Sequence, residues 1–177
     1  MPRLLLYLSV SVVVVIKTGT DVIADDVEVN AGAAPAVSWV RATENAGWQP
    51  RDSQGELVFD NKLWILGGWY NSFEAPPTDV WNSSDGKTWS MVRNDAPWKH
   101  SDLSMSVTFK DRMWFMGGWY NGRLPGHSAS NMVWSSKDGS TWAQETDHAG
   151  WSPRLAAGLV VFKYRMWMLG GTENYYF

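Results

Sequence analysis

Hydrophobic and polar positions alternate along this chain in short bursts that follow a repeated order. Glu56-Leu57-Val58-Phe59 leads through a polar Asp60-Asn61 step into Leu63-Trp64-Ile65-Leu66, which stops at Gly67-Gly68. Two short apolar runs around a two-residue polar break predict a pair of strands joined by a tight hairpin. The order recurs at Met105 to Phe109, Lys110-Asp111, Met113 to Met116 and Gly117-Gly118. It recurs again at Leu159 to Phe162, Lys163-Tyr164, Met166 to Leu169 and Gly170-Gly171. After a loop of variable length, Asp79-Val80-Trp81 and Met132-Val133-Trp134 predict a third strand. It turns at Asp85-Gly86 or Asp138-Gly139, a strong hairpin signal, into a fourth strand opened by Trp89 or Trp142. The predicted unit is a four-stranded antiparallel meander.

The tryptophans confirm the period. All 13 fall into five registers: Trp39, Trp89 and Trp142; Trp48, Trp98 and Trp151; Trp64, Trp114 and Trp167; Trp69 and Trp119; Trp81 and Trp134. Successive copies lie 50 and then 53 residues apart, and the extra residues sit between Gly118 and Trp134. Periods of this size mark solenoids, propellers and arrays, in which one unit is too small to bury its own apolar face.

The first 34 residues stand outside the repeat. Arg3 gives a positive start, Leu4 to Ile16 carries no charge, and small residues follow at Val22-Ile23-Ala24 and Ala31-Gly32-Ala33. This is the layout of a secretory signal peptide over 1–24, cleaved after Ala24, with a linker over 25–37. The alternative, a retained membrane anchor, needs about 20 apolar residues. An exported chain belongs outside the cytoplasm, secreted or in a bacterial envelope. The absence of cysteine removes disulfides, thiolate metal sites and a cysteine nucleophile. The net charge of −3 with both signs interspersed offers no basic stripe for a phosphate backbone, so nucleic acid is not expected as a partner.

A strand closed by a double glycine, an aromatic residue about a dozen positions later, and Pro50-Arg51 or Pro153-Arg154 ahead of the next first strand resemble the kelch repeat. The resemblance covers 38–177. It implies an all-β, partial kelch-type β-propeller with blades at about 51–93 and 101–146, part of a third at 154–177, and 38–42 as a fourth strand without its blade. Propellers close with about four to eight blades. The expectation is therefore a fragment, with further blades from a longer chain and exposed apolar faces at the ends of the arc. Lys99-His100-Ser101 departs from the Pro-Arg pattern. The segments Ser84 to Trp89 and Lys137 to Trp142 look like the Asp-box of sialidase-type propellers, but lack the residue that separates Asp from Gly and are taken as hairpin turns.

Strand parity sorts the loops. The one-to-two and three-to-four turns emerge on one face and are short; the two-to-three and four-to-one connections emerge on the other. The second face carries the candidate ligand-binding residues: Arg51, His100, Arg154, Trp48, Trp98 and Trp151 from the four-to-one loops, and Trp69, Tyr70, Asn71, Trp119, Tyr120 and Asn121 from the two-to-three loops. In kelch proteins the residue after the double glycine and the loop arginine line the channel mouth, which implies Trp69, Trp119, Thr172, Arg51 and Arg154. Trp48, Trp98 and Trp151 either cap the blades or offer platforms, and the arginines either brace loops or bind anions. His100, His127 and His148 are isolated, so no metal site is expected. No cofactor is expected either.

Two function classes remain. One is an exported binding module for a carbohydrate or protein. The other is part of a propeller enzyme acting on sugars, similar to sialic acid mutarotases, with Glu173, His100 or His127 as acid or base. A copper galactose oxidase is excluded, because its centre needs a cysteine.

Overall fold

The computed structural model describes residues 13–17, 38–71 and 73–174. The expected cleavage site after Ala24, the linker at 25–37 and Tyr175 lie outside the described residues. No helix occurs among those described. Strands β1 (Val13–Lys17) and β2 (Ser38–Thr43) pair antiparallel with each other. Strand β2 spans the 38–42 segment, and its partner is β1.

The first blade is a sheet of β3 (Gly55–Phe59), β4 (Lys62–Leu66), β5 (Val80–Ser83) and β6 (Ser90–Arg93), in that order. The second holds β7 (Met105–Thr108), β8 (Met113–Met116), β11 (Val133–Ser136) and β12 (Trp142–Thr146), again in sequence order. Between β8 and β11 lies a small hairpin of β9 (Trp119–Tyr120) and β10 (Ser128–Ala129), which uses the longer loop of this copy. A third pair, β13 (Gly158–Phe162) and β14 (Arg165–Leu169), completes the described strands.

Local chemistry sets these turns. Asp60 and Asn61, Lys110 and Asp111, and Lys163 and Tyr164 all have φ between 48° and 59°. Two successive left-handed residues make a type I′ turn, whose twist suits a two-residue hairpin. At the three-to-four corner, Asp85 Oδ1 accepts the backbone N–H groups of Lys87 and Thr88 at 2.8 and 2.7 Å, while Ser83 Oγ accepts that of Gly86 at 2.8 Å. Those donors hold the Asp85 carboxyl at about 2, well below its ordinary range. Asp138, Ser136 and Gly139 repeat the geometry.

The inner strands β3, β7 and β13 stand side by side. Ser106 Oγ donates to the Glu56 carbonyl at 3.0 Å and Thr108 Oγ1 to the Val58 carbonyl at 2.5 Å, which ties the first two inner strands together. The cores lie between blades. Trp64, Leu66 and Val80 of the first meet Trp98 of the connecting loop and Met113, Phe115 and Trp142 of the second. Met105, Met116 and Val133 of the second meet Trp151, Leu159, Met166 and Met168.

One tryptophan register reports how well each blade is covered. Trp64, Trp114 and Trp167 all donate their indole N–H to the carbonyl five residues earlier, at 2.9, 2.9 and 3.0 Å. Yet Trp64 is 4% exposed and Trp167 44% exposed. The Asp-Gly corner of the second blade lies over Trp64: a Cβ on Gly139 would come within 2.2 Å of its ring. On the β13–β14 pair, Val160, Val161, Phe162 and Leu169 are also exposed. The apolar end face expected from the sequence is present there.

Candidate functional site

The two-to-three and four-to-one loops meet on one side, as strand parity requires. In the first blade Asp52 N donates to the Trp69 carbonyl at 2.9 Å and Trp69 N to the Asp52 carbonyl at 2.8 Å. Asp102 and Trp119 make the same bridge in the second blade, at 3.3 and 2.7 Å. In the third copy the residues are Leu155 and Thr172. Successive four-to-one loops are also bonded in series, from Leu103 N to the Ser53 carbonyl at 3.0 Å and from Ala156 N to the Leu103 carbonyl at 2.9 Å. Ser53, Leu103 and Ala156 hold this ladder with φ of 57°, 51° and 54°, a left-handed conformation that costs energy in residues with a Cβ.

The double glycines serve the same junction. Gly68 N donates to the Ser101 carbonyl and Gly118 N to the Arg154 carbonyl, at 3.0 and 2.9 Å. At Gly118, with φ 93°, a Cβ would fall 2.2 Å from the His100 carbonyl oxygen. Gly68 and Gly118 are thus crowded by the entry loop of their own blade and hydrogen-bonded to the loop that enters the next.

Between the first two blades these loops enclose a cleft lined by Asp52, Ser53, Trp69, Asp102, Trp119, Gly122 and Arg123. Asp102 is 6% exposed, whereas Asp52 is exposed and accepts the Ser53 hydroxyl at 2.9 Å. Burial, and then the nearby Asp52 charge, raise the Asp102 carboxyl to about 6. A group whose folded-state pKa is raised contributes stability below its unfolded value and loses it as pH rises. Stability should therefore fall as pH rises from about 4 through about 6, and Asp102→Asn should flatten that part of a denaturation-midpoint profile.

The residues expected at the site divide into two groups. Trp69 and Trp119 line the cleft. Trp119 donates its indole N–H to the Gly122 carbonyl at 3.0 Å and stacks on His127 at 5.2 Å. Tyr70 and Asn71 lie beside it but are tied to Glu74, at 2.8 and 3.0 Å. Tyr120 pairs with Ser128, and Asn121 donates to the Pro125 carbonyl at 3.2 Å. His100 Nε2 lies 3.0 Å from Ser128 Oγ, and burial lowers its pKa.

The loop arginines are braces. Arg51, its side chain 3% exposed, grips Asp79 with two bonds of 2.5 and 2.9 Å and also donates to the Gly67 and Gln49 carbonyls. Arg154 donates to the Gly170 and Ser152 carbonyls and to Ser152 Oγ. In the second blade the register of Arg51 belongs to Ser101, not His100, and that of Asp79 to Met132. Ser101 is fully buried and donates to the Pro77 carbonyl at 2.6 Å.

The tryptophans of the four-to-one loops pack into the blades. Trp48 meets Trp89 edge-on at 4.3 Å, and Trp98 meets Trp142 in the same way at 4.3 Å. Trp98 is also stacked on Phe115, and Trp151 packs into the core between the second and third copies. Asp52, Ser53, Asp102 and Arg123 were not among the expected site residues. The signal for the two acids was an aspartate in the same register of both full copies. No group of three or more potential metal ligands occurs among the described residues.

The chain superposes on the solved structure of YjhT, a propeller-like protein, with a TM-score of 0.61 over 76% of its own length, at 13% sequence identity. The fold is that of a partial β-propeller. The chain spans 41% of the YjhT chain. No protein-family model and no curated protein sequence matches it.

Proposed function

We propose that this chain is an exported, kelch-type propeller segment, secreted or held in a bacterial envelope, whose long-loop face binds carbohydrate. The observation that carries the reading is the cleft itself. It sets the half-buried indole of Trp69, with the buried Trp119 in the same lining, beside two carboxylates, a hydroxyl and an arginine at the junction of two blades. Aromatic surfaces pack against the C–H faces of sugar rings, and a few convergent polar groups orient the hydroxyls. The loops that supply them sit on a rigid β scaffold. A protein partner would use the same face, but a narrow cleft with its acid buried suits a small polar ring better than a broad surface.

Titrating the full chain with a panel of neutral and charged glycans should change its tryptophan emission. Trp69→Ala should remove most of the change without altering the far-UV circular dichroism. A panel with no emission change, or an undiminished response in Trp69→Ala, would refute the reading.

One observation favours a second, enzymatic reading. A carboxyl raised to about 6 in a cleft is suited to proton transfer near neutral pH. Under that reading Asp102, and not Glu173, His100 or His127, would exchange protons with a bound sugar. An anomerisation assay comparing the chain with Asp102→Asn separates the two: equal rates leave only binding.

A further inference from the structure

We propose that two copies of this chain close one propeller, the β1–β2 hairpin of each copy completing a blade with the β13–β14 pair of the other. The inference goes beyond the binding reading and does not depend on it.

The β1–β2 hairpin is built as the outer half of a blade. In the first blade Val80 pairs with Arg93 and Trp81 with Met91, which skips Val92; in the second Val133 pairs with Thr146 and Trp134 with Gln144, which skips Glu145. Between β1 and β2, Val13 pairs with Thr43 and Val14 with Arg41, which skips Ala42. Ala42, Val92 and Glu145 share one register of the repeat, so the hairpin repeats both the pairing and the bulge. β1 thus stands as third strand to the fourth strand β2. β13 and β14 are a first and a second strand, and no described strand pairs with the outer side of β14. Neither β1 nor β2 contacts any other strand of its own copy.

The groove beside β14 has the shape of the missing piece. In the junction between the first two blades, Trp142 of a fourth strand is 8% exposed, 4.3 Å from Trp98 and 6.3 Å from Phe115. One copy later, the same registers hold Trp151 and Met168, and these line an open groove with Met116, Val133 and Met166. The groove lacks the fourth-strand indole. Trp39 of β2 belongs to the register of Trp142, and it is 64% exposed. Seating it there buries apolar surface on both sides.

The two ends of the arc match in the same way. Val160, Phe162, Trp167 and Leu169 are exposed on the third copy, whereas Leu57, Phe59, Trp64 and Leu66, in the same registers, pack toward the second blade. Val58 and Leu63 are exposed on the first blade, whereas in the second Thr108 bonds to the first blade and Met113 is buried against it. The uncovered faces are therefore the two sides of an interface that the chain already makes within itself. A contact of this head-to-tail kind generates a ring when its rotation closes. Each copy holds two whole blades and two halves, so two copies make six blades, within the range of about four to eight in which propellers close. β1 lies in the segment read as a leader, so the ring forms on the uncleaved chain.

Sedimentation of the full chain should give twice the mass of one chain. Trp39→Asp and, separately, Leu169→Lys should each give single chains with unchanged far-UV circular dichroism, since both residues are exposed within one copy. A chain that begins at Asp25 lacks β1 and should also sediment singly. The pairing of Trp81 with Ile65 and of Trp134 with Phe115 aligns Val14 of one copy with Met168 of the other. The chain has no cysteine, so a mixture of Val14→Cys and Met168→Cys chains should oxidise to a covalent dimer that neither variant forms alone. A full chain that sediments singly would overturn the inference, as would a dimer that survives Trp39→Asp and Leu169→Lys, or a mixture that does not cross-link. A glycan-dependent change in tryptophan emission from single chains would leave the binding reading standing without it.

Discussion

Replacing Arg51 with serine should destabilise the chain by about 3–5 kcal/mol, the usual cost of leaving one member of a buried ion pair without the other. The side chains of Arg51 and Asp79 are 3% and 14% exposed, and the guanidinium meets the carboxylate with two bonds. Without Arg51, Asp79 keeps the indole N–H of Trp81, at 2.7 Å, as its side-chain donor. The second blade shows how the fold manages without the pair. There Ser101 and Met132 occupy the two registers, so both charges are absent together. The double variant Arg51→Ser, Asp79→Met should therefore recover a large part of the loss, and urea denaturation of the four proteins in the cycle measures it. Additive losses, or a single-variant loss under about 1 kcal/mol, would show that the pair is not electrostatically isolated.

Trp98→Ala should cost a similar amount, about 3–5 kcal/mol, because it empties a site between two blades. Trp98 is 2% exposed and touches Phe115 and Trp142 within a cluster that also holds Leu66 and Val80 of the preceding blade. Trp48 occupies the same register one copy earlier but is only half-buried against Trp81 and Trp89. Trp48→Ala should therefore lose distinctly less in the same denaturation experiment. Trp98→Phe should also lose less than Trp98→Ala, since the Trp98 indole N–H is buried without an acceptor and its removal costs nothing in hydrogen bonding. Equal losses for Trp48→Ala and Trp98→Ala would mean that the interface between blades contributes little.

Much of the fold was legible because its determinants are short-range. The hairpin at Asp60-Asn61, the corner at Asp85-Gly86 and the stop at Gly67-Gly68 each depend on a few adjacent φ values, and the structure places β3 to β6 around them within a residue or two. The small β9–β10 hairpin was not legible, because Trp119-Tyr120 and Ser128-Ala129 are too short to show a period. The left-handed residues Ser53, Leu103 and Ala156 were hidden for a different reason. None is the glycine or asparagine that usually marks such a position, and the ladder between loops holds them there.

The site divides in the same way. Trp69 and Trp119 could be placed on the long-loop face from strand parity alone. Arg51 belonged on that face too, but whether its donors meet a ligand or Asp79 depends on a residue 28 positions away. The cleft joins Asp52 to Asp102, 50 residues apart. The perturbed acidity of Asp102 comes from the water that packing removes.

The amino-acid order by itself determined the repeat, the strands, the turns and the face on which the long loops emerge, since each follows from the conformational preferences of neighbouring residues. Only the tertiary structure decided which loop residues brace and which line the cleft, because burial and charge pairing are properties of segments that meet in space and carry no trace in either segment alone.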